Sequence, residues 1–200
     1  MASLVPIVEG KGEVEAVPVL LRRIFDEMGV YDVTVAHPFR VKRNRVVRPG
    51  DIERTVRQAV SACSDARSLL VILDADDDDP GILGPKLLKR CESELPFLPV
   101  AVVLAQREFE AWFLGAKESL RGKRGIRLNA VSPQRPESIR GAKEHLSQNM
   151  EESRYLPVDD QPALAEYMDM EMARKRCASF DKMFCDIGRL LAEMRSAKSG

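Results

Sequence analysis

No apolar run in this 200-residue chain approaches the 18 or so residues that a membrane-crossing helix needs, so no membrane span is expected. The amino terminus, MASLVPIVEG, carries no basic leader with an apolar stretch and a cleavage site, so a cytoplasmic location is expected. Histidine is scarce, at two residues, and Cys63, Cys91, Cys177 and Cys185 are scattered without a CxxC pair. That spacing argues against both a zinc site and a disulfide framework and fits four free thiols. Formal net charge is zero. Any hold on nucleic acid must therefore come from local patches and not from the field of the whole chain. No GxxxxGK[ST] loop occurs, which argues against intrinsic ATPase activity.

The composition, 44% apolar and 31% charged, is that of a globular domain with a sizeable core. Apolar runs of strand length alternate with stretches of helical period. Leu4–Val8, Val33–His37, Leu69–Leu73 and Val100–Leu104 read as strands. Helices are expected over Glu13–Met28, Asp51–Cys63 and Ile82–Leu95. Continuous apolar strands separated by helices argue for an α/β fold, a Rossmann-like, mostly parallel sheet of about four strands with helices on both faces. After Leu114 the texture changes to a Gly- and Arg-rich stretch, then three helical segments over Pro136–Met150, Gln161–Met172 and Ser179–Met194. The last has Ser179 as its expected N-cap. The organisation is therefore a core over residues 1–115 and a helical extension over 116–200, packed on it as one unit.

The acids are placed unevenly. LVILDADDDDPG gathers five aspartates within six residues straight after a buried strand. In open parallel sheets ligands bind beyond the carboxyl ends of the strands. Glu9 follows the first strand, and Glu13 lies one helical turn on. Asp74 and Asp76 end the third strand, where a spacing of two in extended chain puts both on one side. Glu108 and Glu110 follow the fourth. Carboxylates from three strand ends thus converge, and such a cluster raises the pKa of its members unless a cation compensates it. Magnesium or manganese, held by carboxylate oxygens, is the expected compensation. An EF-hand is not: starting from Asp76, the twelfth position is Leu87, not glutamate.

A strand ending in VEGKGE, a later one ending in LDADDD and a third acidic strand end together resemble a Toprim domain, the metal-binding module of topoisomerases, DnaG-type primases and several nucleases. Glu9-Gly10 is similar to its glutamate motif and Asp74-Ala75-Asp76 to its DxD motif. The spacing of Glu13 resembles the overcoming-lysogenization-defect (OLD) nucleases. REFEAWFL and ARKRCASFDK are similar to a bacterial family of stand-alone Toprim-like proteins related to them. The resemblance implies phosphodiester hydrolysis with one or two divalent ions, Mg or Mn, and a separate ATPase partner. On it, Glu9 is ligand or general base, Asp74 and Asp76 are catalytic ligands, and Glu13 and Glu110 complete a second site. If a helix starts near Arg107, Glu108 and Glu110 point to opposite sides and only one joins; the resemblance favours Glu110. No topoisomerase-like tyrosine or further topoisomerase domain is present.

FRVKRNRVVR supplies Arg40, Lys42, Arg43, Arg45 and Arg48 on the same edge, a candidate contact for nucleic-acid phosphates. Arg121, Lys123, Arg124 and Arg127 form a second basic stretch, read as a solvated loop. Neither interleaves aromatics, so base stacking is not indicated. Two other functions are compatible with these residues: a catalytically idle Toprim-like subunit that binds metal or nucleic acid and regulates a partner, and another phosphate-processing enzyme.

Overall fold

The computed structural model describes residues 2–42, 46–151 and 154–196. Among them, β1 (Ala2–Val8), β2 (Val33–Val35), β3 (Phe39–Arg40), β4 (Ala66–Asp74) and β5 (Val100–Ala105) form one parallel sheet. The order is β2-β1-β4-β5, with β3 also pairing β1. The strand expected over Val33–His37 ends at Val35, and a second short strand follows beyond it at Phe39–Arg40. Thr34 and Arg40 pair with β1 at Ser3 and Val8, leaving Ala36 to Pro38 as the bridge between the short strands.

Parallel pairing needs a crossover at every step, and helices provide it. They are α1 (Lys11–Glu27), α2 (Asp51–Ser61) and α3 (Pro80–Glu94); after β5 come the short α4 (Ala111–Gly115), then α5 (Ala142–Gln148), α6 (Pro157–Tyr167), α7 (Met170–Arg176) and α8 (Ala178–Ser196). Strand residues alternate between the two faces of the sheet. Leu4, Val8, Leu70, Ile72, Ala101 and Val103 pack with α1 and the helices of the extension. Val5, Ile7, Leu69, Val71, Val102 and Leu104 pack with α2 and α3. One core is therefore shared between the sheet and the extension.

Two corrections concern helix starts. The helical period over Pro136–Met150 resolves into a 3-10 turn at Pro136–Ser138 and α5, because Gly141 takes φ 68° and breaks the run. Ser179 is not an N-cap: α8 begins at Ala178. The Ser179 hydroxyl instead accepts from Trp112 Nε1 (2.8 Å) and from the Gln106 N–H (3.2 Å). The carboxylate of Glu137 takes the remaining bond and also accepts the N–H groups of Ala178 and Ser179. Trp112 is fully buried between Phe109 and Phe180.

As an outer strand, β5 would present unpaired carbonyls. Helix α8 covers them, with Lys182 Nζ donating to the Val102 carbonyl (3.2 Å) and Arg189 Nη2 to that of Val100 (2.8 Å). No helix among the described residues is long and apolar enough to cross a membrane.

Candidate active site

The carboxyl ends of β1, β4 and β5 carry Glu9, Asp74 and the turn Gln106–Glu110. The first turn of α1 adds Glu13. Glu13 folds back on its own helix start, its Oε2 accepting the Glu9 N–H at 3.1 Å. A glutamate at this position commonly satisfies the free donors of a helix N-terminus. Only 4% of Glu13 is exposed. Burial pushes its carboxyl up to about 7, against the pull of the Glu9 and Gly10 N–H groups and with the push of Glu110 and Glu9. Asp74 Oδ1 accepts the Phe109 N–H at 2.7 Å, tying β4 to the turn after β5. Burial, with Glu13 and Glu110 nearby, drives Asp74 well above the usual carboxylate range, although Lys143 and the Phe109 N–H draw it down.

Glu110 is fully buried and directly precedes α4. Its Oε1 accepts from Gln161 Nε2 (2.8 Å) and from the Tyr155 hydroxyl (3.1 Å), and its Oε2 lies 2.9 Å from Lys143 Nζ. Burial beside Glu110 pushes the Tyr155 phenol up, so the hydroxyl remains a donor. Burial opposes the charge on Lys143, but Glu110, Asp74 and Glu108 outweigh it and hold the ammonium above its ordinary range. Glu108 has a different task. Its Oε1 accepts the Gly141 and Ala142 N–H groups (2.9 and 3.1 Å), and its Oε2 meets Lys143 Nζ at 3.1 Å. It anchors the start of α5. Glu108 is held below the usual range because Lys143 and these N–H groups overcome its burial. The helix expected from near Arg107 starts instead at Ala111, and the two glutamates do not point to opposite sides, since both carboxylates meet Lys143 Nζ. Glu108 turns its other oxygen to α5, and Glu110 turns its own to Tyr155 and Gln161.

Gly12 explains how the extension reaches this edge. A Cβ there would sit 2.1 Å from Gln161 Oε1 and 2.3 Å from the Pro157 carbonyl oxygen. With no side chain, α1 and α6 close together and Gln161 meets Glu110. Lys143, Tyr155 and Gln161 were not singled out in the sequence. Gly12, in GKGE, is the local signal of that close approach.

The structure brings Glu9, Glu13, Asp74 and Glu110 to one edge and places Asp76 differently. Strand β4 ends at Asp74, and Asp76 turns with φ 51°. The two-residue alternation of extended chain therefore stops short of it. Asp76 is exposed and lines a shallow cavity with Asp77, Arg107, Glu108 and Arg140. All-oxygen donors of this kind suit a hard divalent cation. Among the described residues, however, no group of three His, Cys, Asp or Glu side chains is placed to hold a metal ion. Lys143 supplies positive charge to the cluster instead.

Arg40, on β3, pairs with Val8 of β1, beside the acidic edge. With Lys42, Arg48 and Arg54 it lines a cavity of about 600 Å³ that has Asp51 on its wall. Arg90 fixes the far side of this loop, donating to the carbonyls of Val47 and Arg48 and to Glu53. Arg43 and Arg45 lie outside the described residues. The second basic stretch is engaged internally. Arg121 Nε donates to the Ala130 carbonyl (2.7 Å), Arg124 Nε meets Asp160 Oδ1 (2.9 Å), and Lys123 lies over the Tyr167 ring.

One protein family, described as a domain of unknown function (DUF4276), matches residues 8–188. No curated protein and no solved structure matches the chain.

Proposed function

For a chain that belongs to the DUF4276 family, we propose from the site itself a metal-dependent hydrolase of nucleic-acid phosphodiesters, working in the cytoplasm. The observation that carries this reading is the convergence of Glu9, Glu13, Asp74 and Glu110 on the ligand-binding edge of a parallel sheet, with the pKa values of Glu13 and Asp74 driven up. Those four side chains would have to close on Mg or Mn in place of Lys143 to hold it, since among the described residues no three of them are so placed. When bound, the ion supplies Lewis acidity and an activated water. The chain's own residues do the rest. Glu13, pushed up to about 7, is able to take or give a proton near neutral pH, and Asp74 beside it is likewise driven above the usual carboxylate range. Lys143 supplies fixed positive charge beside the carboxylates, and Gln161 and Tyr155 orient Glu110. Arg40, Lys42 and Arg48 bind substrate phosphates on the neighbouring wall.

The ion pairs of Lys143 favour a second reading, in which the cluster is a self-compensated remnant and the protein regulates a partner by binding nucleic acid. Incubation of labelled DNA and RNA with Mg or Mn, against EDTA and an Asp74→Asn control, separates the two. Cleavage that needs metal and Asp74 supports the hydrolase; binding without cleavage under every condition supports the regulator.

A further inference from the structure

Building on the reading of the acidic edge as a phosphodiester-cleaving site, we propose that Arg107 and Arg140 form a clamp for a backbone phosphate of the substrate strand, which Asp77 occupies until the strand arrives. The two guanidinium groups reach one carboxylate oxygen from different parts of the chain: Arg107 Nη1 lies 3.1 Å and Arg140 Nη2 2.7 Å from Asp77 Oδ1. Two planar donors meeting on one anionic oxygen is the arrangement that also suits phosphate. Asp77 is a poor permanent partner, because 72% of its side chain is exposed to water. An exposed ion pair is worth little, so a phosphate displaces it at small cost.

The backbone beneath the clamp is unusual. Arg107 takes φ 66° and Asp76 φ 51°, conformations that non-glycine residues rarely adopt. The Asp76 N–H donates to the Arg107 carbonyl (3.0 Å), so the two left-handed residues lock the turns after β4 and β5 together. Strain of this sort persists where surrounding structure holds it, and it clusters at functional sites. Here Arg107 and Asp76 both line the cavity. Arg107 Nε is buried without a hydrogen-bond partner. That leaves the guanidinium with unused donor capacity, which an exposed carboxylate on one nitrogen does not satisfy.

Size and position agree with a phosphate. The cavity holds about 150 Å³, below the roughly 300–1,000 Å³ of sites that enclose larger ligands. Its wall includes Glu108, whose Oε2 is 3.1 Å from Lys143 Nζ, and Lys143 in turn contacts Glu110. A phosphate in the clamp is therefore linked to Glu110 through two side chains, Glu108 and Lys143, on a different wall from Arg40, Lys42 and Arg48.

The test is fluorescence anisotropy in EDTA with labelled single- and double-stranded DNA and RNA oligonucleotides, read on the form that binds best. Metal and cleavage do not enter this measurement. Asp77→Asn is expected to tighten binding several-fold by vacating the clamp. Asp78→Asn, which removes the same charge from the same exposed loop, is expected to change it less. Arg140→Ala and Arg107→Ala/Arg140→Ala are expected to weaken binding progressively, by about tenfold for the pair, and to flatten the salt dependence by roughly one per arginine. Arg140→Ala keeps the test sound if the strained Arg107 position tolerates alanine poorly, since 70% of the Arg140 side chain is exposed. Equal tightening by Asp77→Asn and Asp78→Asn, unchanged binding in the arginine variants, or no oligonucleotide binding at all would overturn the clamp. Shifted binding in the expected directions without any metal-dependent cleavage would retain the clamp and remove the hydrolase.

Discussion

Lys143 Nζ lies 2.9 Å from Glu110 Oε2 and 3.1 Å from Glu108 Oε2, so an ammonium carried by a helix of the extension serves as counter-charge to an edge built by the sheet. Removing one partner of a fully buried pair costs about 3–5 kcal/mol. The Lys143 side chain is 39% exposed, which screens the interaction. Lys143→Met is therefore expected to cost about 2 kcal/mol at pH 8. The loss should be smaller at a lower pH, because Asp74, driven upward by burial and its acidic neighbours, takes up a proton as the pH falls and needs less compensation. Urea denaturation at both pH values checks this; an equal loss at each would show that Lys143 acts by packing alone.

Glu13 sets a pH dependence of known sign. Its carboxyl is raised from 4.5 in the reference state to about 7 in the fold, so between those values the native state binds the extra proton. Stability from this group is fully present below pH 4.5, falls as pH rises to 7, and is flat above. The 2.5-unit difference (7 − 4.5) corresponds to at most about 3 kcal/mol. Glu13→Gln keeps an acceptor for the Glu9 N–H and removes the titration. The variant should be the more stable protein at pH 8 without metal, by about 1–3 kcal/mol. Parallel stability–pH slopes in the two proteins would refute the assignment.

Glu108 and Glu110 should behave as different residues. Glu110→Gln is expected to abolish metal-dependent cleavage, because its carboxylate lies inside the buried cluster. Glu108→Gln should leave much of the activity and instead loosen the start of α5, where it accepts the Gly141 and Ala142 N–H groups. Loss of those charge-assisted bonds is worth about 1–3 kcal/mol. Paired cleavage and melting measurements on both variants decide it; an inactive Glu108 variant beside an active Glu110 variant would reverse the roles.

Much of this edge was legible in the sequence because it depends on short-range regularities. Continuous apolar runs mark buried parallel strands, and the acids directly after them must lie at the carboxyl ends, which placed Glu9, Glu13, Asp74 and Glu110. Asp76 shows where such a rule stops. Two-residue alternation holds only while the chain stays extended, and φ turns positive at that residue. Lys143, Tyr155 and Gln161 were not legible, since they reach Glu110 through the docking of α5 and α6, 33 to 51 residues further along the chain. Ser179 looked like a helix cap by residue type, but its hydroxyl is committed to Trp112 and Glu137.

The basic wall beside β3 gives a salt-dependent prediction. Replacing Arg40, Lys42 and Arg48 with alanine should weaken nucleic-acid binding and flatten the slope of log affinity against log salt by roughly 0.7–0.9 per lost contact. Arg40, Lys42 and Arg48 are exposed, so the melting temperature should barely move. An unchanged slope in the triple variant would assign the wall to solvent.

Calorimetric titration of Mn²⁺ into metal-free protein near neutral pH, with Asp74→Asn in parallel, addresses the acidic edge most directly. Wild type should bind saturably at or below about millimolar metal. Protons should be released as Glu13, pushed up to about 7, ionises, seen as a heat that depends on the buffer. Asp74→Asn should lose most of the binding and of the proton release. Saturable binding that Asp74→Asn leaves intact, or no binding by the wild type, would contradict the assignment of this edge to a divalent cation.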